Sequence, residues 1–166
     1  FVLALALALD ALVGEPDEIW KRVPHPAVLM GKAVGWTDRQ LNSGQGRLVM
    51  GALAVTGLAA LAWIIGALIA ELGWFAELVV AAILLAQRSL VEHVREVADA
   101  LQLSLGDGRK AVARIVGRDT AEMEGPDVAR AAIESGAENL SDGVVAPAFW
   151  FLLLGLPGML AYKMVN

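Results

Sequence analysis

The chain of 166 residues is 57% hydrophobic and only 19% charged, and its mean hydropathy is +0.61. Soluble domains are usually about 45–50% apolar and about 25% charged, so this composition indicates an integral membrane protein. The formal net charge of −5 argues against a nucleic-acid binder. The sequence contains no cysteine, which excludes disulfides and thiolate chemistry within these residues.

Apolar stretches in chain order predict an all-α, polytopic membrane fold. Residues 1–13 look like the end of a spanning segment, because the chain begins without Met inside an apolar run. Residues 48–86 predict a hairpin of two spanning helices. Residues 144–162 predict a spanning or re-entrant helix that is broken by its Pro and Gly residues. Since an apolar segment lies at each end, we expect a single membrane domain that is truncated at both ends.

The basic residues concentrate in two polar segments, residues 14–47 and 87–143, whereas the turn of the hairpin carries only acidic residues. By the positive-inside rule, both polar segments are expected on the cytoplasmic side of a multi-pass protein in the inner membrane. Segment 14–47 is expected to be a cytoplasmic loop. Segment 87–143 is expected to be helical, with a turn at residues 105–108. A helix end at Gly117 is expected to leave Arg118 in a turn, followed by a short helix capped by Asp119 and a new helix from Gly125.

The loop places His25 between Pro24 and Pro26, which excludes it from a helix interior and holds it on a stiff turn. A histidine in such a position can serve as a base, as a metal ligand or as a hydrogen-bond donor to phosphate. The alternative is a capping residue in a tight loop at the membrane face.

Two rows of charged side chains recur every four residues in segment 87–143, so each row is expected on one helix face. The basic row and then the acidic row consist of Lys110, Arg114, Arg118, Glu134, Glu138 and Asp142. Arginine binds phosphate, and carboxylates with Asn hold Mg²⁺, so the rows favour phosphoryl transfer or ATP-driven activation of an acid at the membrane edge. The alternative is that the rows pair with each other as a salt-bridged, solvated helical hairpin.

Four sequence blocks, at residues 10–16, 25–31, 113–120 and 134–150, resemble the cobinamide-phosphate synthase family (CobD/CbiB) of cobalamin biosynthesis. Among them are Ile-Val-Gly-Arg-Asp-Thr, ending at Thr120, and Glu-Asn-Leu-Ser-Asp-Gly-Val-Val-Ala-Pro, beginning at Glu138. Residues 156–166 resemble the start of the family's next block. The resemblance implies ATP-dependent amide formation between adenosylcobyric acid and (R)-1-aminopropan-2-ol O-phosphate, which gives adenosylcobinamide phosphate.

The resemblance also implies cofactors and partners, whereas the roles of the site residues are our own hypothesis from the charged rows and the matching blocks. ATP and Mg²⁺ are the expected cofactors, and the corrinoid substrate, the lipid bilayer and other enzymes of the cobalamin pathway are the expected partners. The expected catalytic residues are His25, Glu134, Glu138 and Lys163. The expected substrate- and phosphate-binding residues are Arg114, Arg118, Asp119, Thr120, Asn139 and Asn166. The expected Mg²⁺ ligands are Glu134, Glu138 and Asp142.

Two other functions fit the same pattern. A membrane-embedded, Mg²⁺-dependent phospho-alcohol or prenyl transferase would also place acids and metal at a membrane-edge helix. Such enzymes need repeated Asp-rich motifs, which only Asn139-x-x-Asp142 approximates here. A non-catalytic corrinoid transporter or partner protein would instead leave the charged rows as mutual ion pairs and would show no dependence on ATP.

Overall fold

The computed structural model describes residues 1–42 and 46–166, so residues 43–45 of the predicted loop lie outside it. Within the described residues the chain is helical and contains no strand, which confirms the all-α prediction. The helices are α1 (Val2–Val13), α2 (Asp17–Trp20), α3 (Pro26–Leu41), α4 (Arg47–Ala70), α5 (Trp74–Leu84), α6 (Gln87–Leu103), α7 (Leu105–Val112), α8 (Gly125–Leu140) and α9 (Ala146–Val165), and a π-helical turn (Ser141–Val145) joins α8 to α9. Segment 14–47, expected to be a loop, thus contains the helix α3.

Three helical stretches of the described residues are long and apolar enough to cross a membrane, in agreement with the predicted membrane class. They are Arg47–Ala70, Trp74–Leu103 and Gly125–Val165. Helix α4 leaves large apolar side chains exposed along its length, among them Leu48, Leu53 and Leu68. A helix with so much exposed apolar surface is stable only against lipid or further protein.

Helix α4 packs mainly along α9, although α5 is its neighbour in the predicted hairpin. A Cβ atom at Gly66 would lie 2.6 Å from the Cα atom of Pro157, so only glycine permits this close approach of the two helices. Within α9 the backbone leaves helical geometry at Gly155, where φ is +67°. A positive φ of this size is readily adopted only by glycine, and it lets the chain bend two residues before Pro157.

The end of α1 is attached to the start of α6 by polar contacts. The buried carboxylate of Asp10 accepts a hydrogen bond from the Gln87 backbone N–H at 2.7 Å. The Arg88 guanidinium donates to the carbonyl of Leu12. These contacts satisfy backbone groups that helix ends leave without partners, and they set where α6 begins.

Helices α6, α7 and α8 form a smaller unit with its own apolar core, which includes Val97, Val112 and Val128. Helix α7 begins at Leu105 because the Ser104 hydroxyl caps it and accepts the N–H of Asp107 at 3.0 Å. The turn predicted at residues 105–108 is therefore wrong, since these residues form the first turn of a helix.

The charged rows do not follow single helices. Helix α7 ends at Val112, and residues 113–124 have no helical structure, so Arg114 and Arg118 do not continue a row from Lys110. The Arg109 side chain donates to the carbonyl of Met123 at 2.7 Å and ties the two ends of this loop together. The helix predicted as far as Gly117 is wrong beyond Val112, and the short helix predicted after Asp119 does not form, whereas Arg118 lies outside a helix as predicted. Tertiary contacts hold the loop in this non-helical path.

Candidate functional site

Two adjacent cavities lie where α6, the 113–124 loop, α8, the π turn and the end of α9 meet. The first, here called the Lys163 cavity, has a volume of about 400 Å³ and is lined by Lys163, Arg114 and His93. The second, here called the Glu138 cavity, has a volume of about 490 Å³ and is lined by Glu138, Glu134 and Arg118. Both are lined by Ile115, Ser135, Asn139, Asp142 and Asn166. Most of the residues expected at a site from sequence therefore surround these two cavities.

Asn139 is oriented by its own helix. Its side-chain N–H₂ donates to the carbonyl of Ser135 at 2.8 Å and lies 3.2 Å from the Ser135 hydroxyl. That hydroxyl donates in turn to the carbonyl of Ile115 at 2.7 Å, which fixes the 113–124 loop against α8. Because the amide nitrogen is occupied, the amide oxygen is the atom that Asn139 offers to a ligand.

The three carboxylates of the acidic row do not all lie on one helix. Glu134 and Glu138 lie on α8, but Asp142 lies in the π turn, where the wider backbone spacing moves it off the line of the other two. The carbonyl of Gly143 in this turn accepts the Ala86 N–H at 3.2 Å, which joins the turn to the start of α6. Asp142 thus lies on the wall that the two cavities share.

The end of α9 contributes two predicted residues. Lys163 lies within electrostatic range of the carboxylates of Glu15 and Asp142. Its ammonium forms no ion pair within 4.0 Å among the residues described. The hydroxyl of Tyr162 donates to the side-chain oxygen of Asn166 at 3.1 Å. A partly buried cation without a close partner is positioned to attract an anionic group into the Lys163 cavity.

Both arginines are held in exposed ion pairs. Arg118 contacts Glu134 at 2.6 Å, and Arg114 contacts Glu96 of α6 at 2.6 Å. All four side chains are at least half exposed, and such pairs contribute little to stability, about 0–1 kcal/mol. The Arg118–Glu134 pair matches the alternative in which the charged rows bind each other. A phosphate could replace the carboxylate partner at small cost.

The oxygen donors of the Glu138 cavity fit Mg²⁺ in type. Glu138, Asp142 and the amide oxygen of Asn139 supply the hard ligands that this ion prefers. However, nowhere in the described part of the chain do three His, Asp or Glu side chains form a group that could hold a metal. The three carboxylates expected as ligands thus do not form a ready-made cage. This arrangement suits an ion held by one or two carboxylates together with substrate phosphates.

Three predicted residues are not brought to either cavity. His25 caps α3, where its Nδ1 accepts the Ala27 N–H at 3.2 Å and its ring packs edge-on against Trp20. Asp119 accepts the N–H of Ala121 at 3.0 Å, and the buried Thr120 donates to the carbonyl of Arg109. These contacts shape turns, so the structure gives all three residues a local structural role.

Sequence reasoning did not single out four residues that line the Lys163 cavity. They are Ser89, His93, Ser135 and Gly143. Ser89 and His93 are four residues apart on α6, and the Ser89 hydroxyl lies 3.5 Å from Nδ1 of His93. That spacing is the signal that could have identified the pair.

The comparisons with known proteins agree on one family. The model of the family described as "CobD/Cbib protein" matches residues 3–166. Three relatives named "Cobalamin biosynthesis protein CobD" come from Sinorhizobium sp, Rhizobium meliloti (strain 1021) and Rhodobacter capsulatus. They are 50%, 48% and 39% identical to this chain over 99% of its length. No solved structure matches it.

The chain spans about half the length of these relatives, since the matches cover 55%, 54% and 55% of them. The family match extends over α1 to α9 and therefore includes both cavities. On this match across nearly the whole chain, and with a relative at 50% identity, the chain belongs to the CobD/CbiB family.

Proposed function

We propose that this protein acts in cobalamin biosynthesis and forms an amide bond at the expense of ATP. The substrates would be a propionate side chain of adenosylcobyric acid and the amine of (R)-1-aminopropan-2-ol O-phosphate. The product would be adenosylcobinamide phosphate. The names of the relatives support the pathway, and the family resemblance supports the reaction.

One observation carries the proposal: a cavity rich in oxygen donors adjoins the cavity of Lys163, which has no ion-pair partner within 4.0 Å among the described residues, and Asn139 and Asp142 lie on their shared wall. A carboxylate does not react with an amine unless it is first activated. Activation by ATP needs a region that holds phosphates and a neighbouring region where the activated acid meets the amine. The two adjoining cavities, which share lining residues, would serve as these two regions.

Glu138 and Asp142 would hold Mg²⁺ together with the phosphates of ATP, and the ion would supply neutralisation of the phosphate charge. Arg118 would exchange Glu134 for a phosphate oxygen, which its exposed ion pair permits. Glu134 would then be free to act within the same cavity. Asn139 would hold one polar group of a substrate through its amide oxygen.

Lys163 and Arg114 would bind the anionic groups of the second cavity. The amino alcohol carries a phosphate, and negative charge develops on the leaving phosphate when the amide forms. A lysine without an ion-pair partner among the described residues can stabilise either charge. Asn166, held by Tyr162 through its side-chain oxygen, would offer its amide nitrogen as a donor.

We place the site on the cytoplasmic side of the inner membrane as part of the same proposal. The basic residues of segments 14–47 and 87–143 support that side through the positive-inside rule. ATP is available there, and α9 would bring the membrane-proximal residues Lys163 and Asn166 to the site from the bilayer. Other enzymes of the cobalamin pathway could reach the same surface.

The test uses the full-length protein in membranes with adenosylcobyric acid, aminopropanol phosphate and Mg²⁺–ATP. Mass spectrometry would detect the amide product, with ATP omitted as the control. An ATP-dependent product is the expected result. A folded protein that gives no product would overturn the proposal. Transfer of a prenyl or phospho-alcohol group, or corrinoid binding without turnover, would then identify the transferase or the transport function.

Within this assay, Glu138→Ala should abolish turnover while folding and membrane insertion remain intact. Glu138 lines its cavity and forms no ion pair among the described residues, so its loss removes a ligand without breaking a structural contact. Glu122→Ala is the matched control, because Glu122 is an exposed carboxylate of the 113–124 loop and lines neither cavity. Normal turnover in Glu138→Ala would contradict the metal-binding role.

A further inference from the structure

His93 lies at the Lys163 cavity with a polar partner on its own helix. It follows Ser89 by one helical turn on α6, and the Ser89 hydroxyl lies 3.5 Å from Nδ1. Nδ1 can donate its proton to this hydroxyl, and Nε2 is then the nitrogen that can accept a proton. The sequence blocks that resemble the family do not include this pair.

The charged groups around His93 come from several elements. Arg114 faces the cavity from the 113–124 loop, Asp142 from the π turn and Lys163 from α9. On α6 itself, Glu92 pairs with Arg88, and Glu96 pairs with Arg114. The charges near the ring are thus of both signs. Among the described lining residues, His93 supplies the only imidazole, the side chain that most often serves as a general base.

The proposed formation of an amide needs a group that accepts a proton, and the role inferred here for His93 rests on that proposed function. An alkylamine is an ammonium ion at neutral pH, as the lysine side chain is. An ammonium nitrogen has no free electron pair and cannot attack a carbonyl carbon. A proton must therefore leave the substrate nitrogen inside the cavity before the amide can form.

We propose that His93 accepts this proton through Nε2 and that Ser89 holds the ring in position. The amine attacks an acyl phosphate, the form in which ATP would have activated the propionate. The freed electron pair of the nitrogen forms the C–N bond, and the bond between the acyl carbon and the phosphate oxygen breaks. Inorganic phosphate leaves with that electron pair and takes the second proton from the nitrogen. His93 then releases its proton to solvent, so protons and electrons balance.

Hydroxylamine, used in place of the amino alcohol, distinguishes removal of a proton from the amine from activation of the acid. It is uncharged at neutral pH and attacks an acyl phosphate without a base, giving a hydroxamate. His93→Gln should lower amide formation from aminopropanol phosphate by roughly 100-fold or more, while ATP-dependent hydroxamate formation persists. Ser89→Ala should show a smaller loss of amide formation. Arg95→Gln, on the same helix but outside both cavities, is the control.

His93→Ala gives a second measurement, since added imidazole should restore amide formation in this variant. An unchanged rate of amide formation in His93→Gln would overturn the proposal. Parallel loss of amide and hydroxamate in a folded variant would overturn it too, because the residue would then act before the amine enters. If the unmodified protein makes neither product, the proposed function itself fails, and that outcome is distinct from the other two.

Discussion

The membrane bundle and the polar unit of this protein are held together in different ways. In the bundle of α1, α4, α5 and α9, small residues such as Ala62 and Gly66 let backbones approach closely. In the unit of α6, α7 and α8, three valines and three alanines, among them Val112 and Val128, form a separate buried core. Lipid gives no hydrophobic driving force for helix association, so close packing replaces burial from water there.

The N-termini of helices in the two regions also differ in how they are capped. Helices α7 and α8 begin at side-chain caps formed by Ser104 and by the reciprocal pair Glu124 and Asp127. Helices α4 and α5 begin at Gly46 and Gly73 without a side-chain cap. Within the second unit, α7 and α8 thus begin at side-chain caps, whereas α6 begins without one of its own. The candidate site lies where this unit meets the bundle, and it draws residues from both.

The largest stability effect is expected at the closest approach within the bundle. Gly66→Ala should lower the free energy of unfolding in detergent by about 3 kcal/mol, because its new methyl group would meet backbone atoms of Pro157 that cannot easily move. The control is Gly57→Ala on the same helix, where a Cβ atom meets nothing within 4 Å. That variant should be neutral or more stable by up to about 1 kcal/mol. Equal effects at both glycines would contradict close packing at α4–α9.

An intermediate effect is expected in the core of the polar unit. Val128→Ala should cost about 2 kcal/mol, since a fully buried side chain loses two methyl groups and leaves a cavity. Val91→Ala, at a half-exposed position on α6, should change stability by about 0.5 kcal/mol or less. Hydrogen exchange of α6–α8 would measure both. If Val128→Ala loosened the bundle to the same extent, the two regions would not be separate cores.

The smallest effect is expected for the ion pair between the loop and α8. A double-mutant cycle with Arg118→Gln and Glu134→Gln should give a coupling energy of about 0.2–1 kcal/mol that falls with added salt. Each single variant should nevertheless reduce turnover if both side chains bind substrate or metal. A coupling energy well above this range would instead make the pair a structural contact and weaken its assignment to phosphate binding.

The membrane architecture could be read from the sequence because it depends on long apolar stretches. The stretch that became α4 has no charge after Arg47, and its length alone predicts a span. The acidic residues Glu134 and Glu138 could likewise be placed on one helix face, since both lie within α8. Such features depend on local spacing, which a single sequence displays.

The parts that could not be predicted depend on contacts between distant residues. The spacing of Arg114 and Arg118 is typical of a helix, but the Ser135 hydroxyl and the Arg109 side chain hold this region as a loop. His93 lies at the cavity on α6, whose start is held by a hydrogen bond to the distant Asp10. Neither contact has a pattern in the local sequence, so the two cavities were visible only in the folded chain.

The π turn between α8 and α9 sets the rotational phase of the last helix. If one residue were deleted from Ser141–Val145 and the turn became α-helical, α9 would rotate by about 100° relative to α8 and shift along its axis by about 1.5 Å. Pro157 would then no longer pack against Gly66, and Lys163 would point away from its cavity. One backbone register therefore determines both how the bundle packs and whether its final polar residues reach the site.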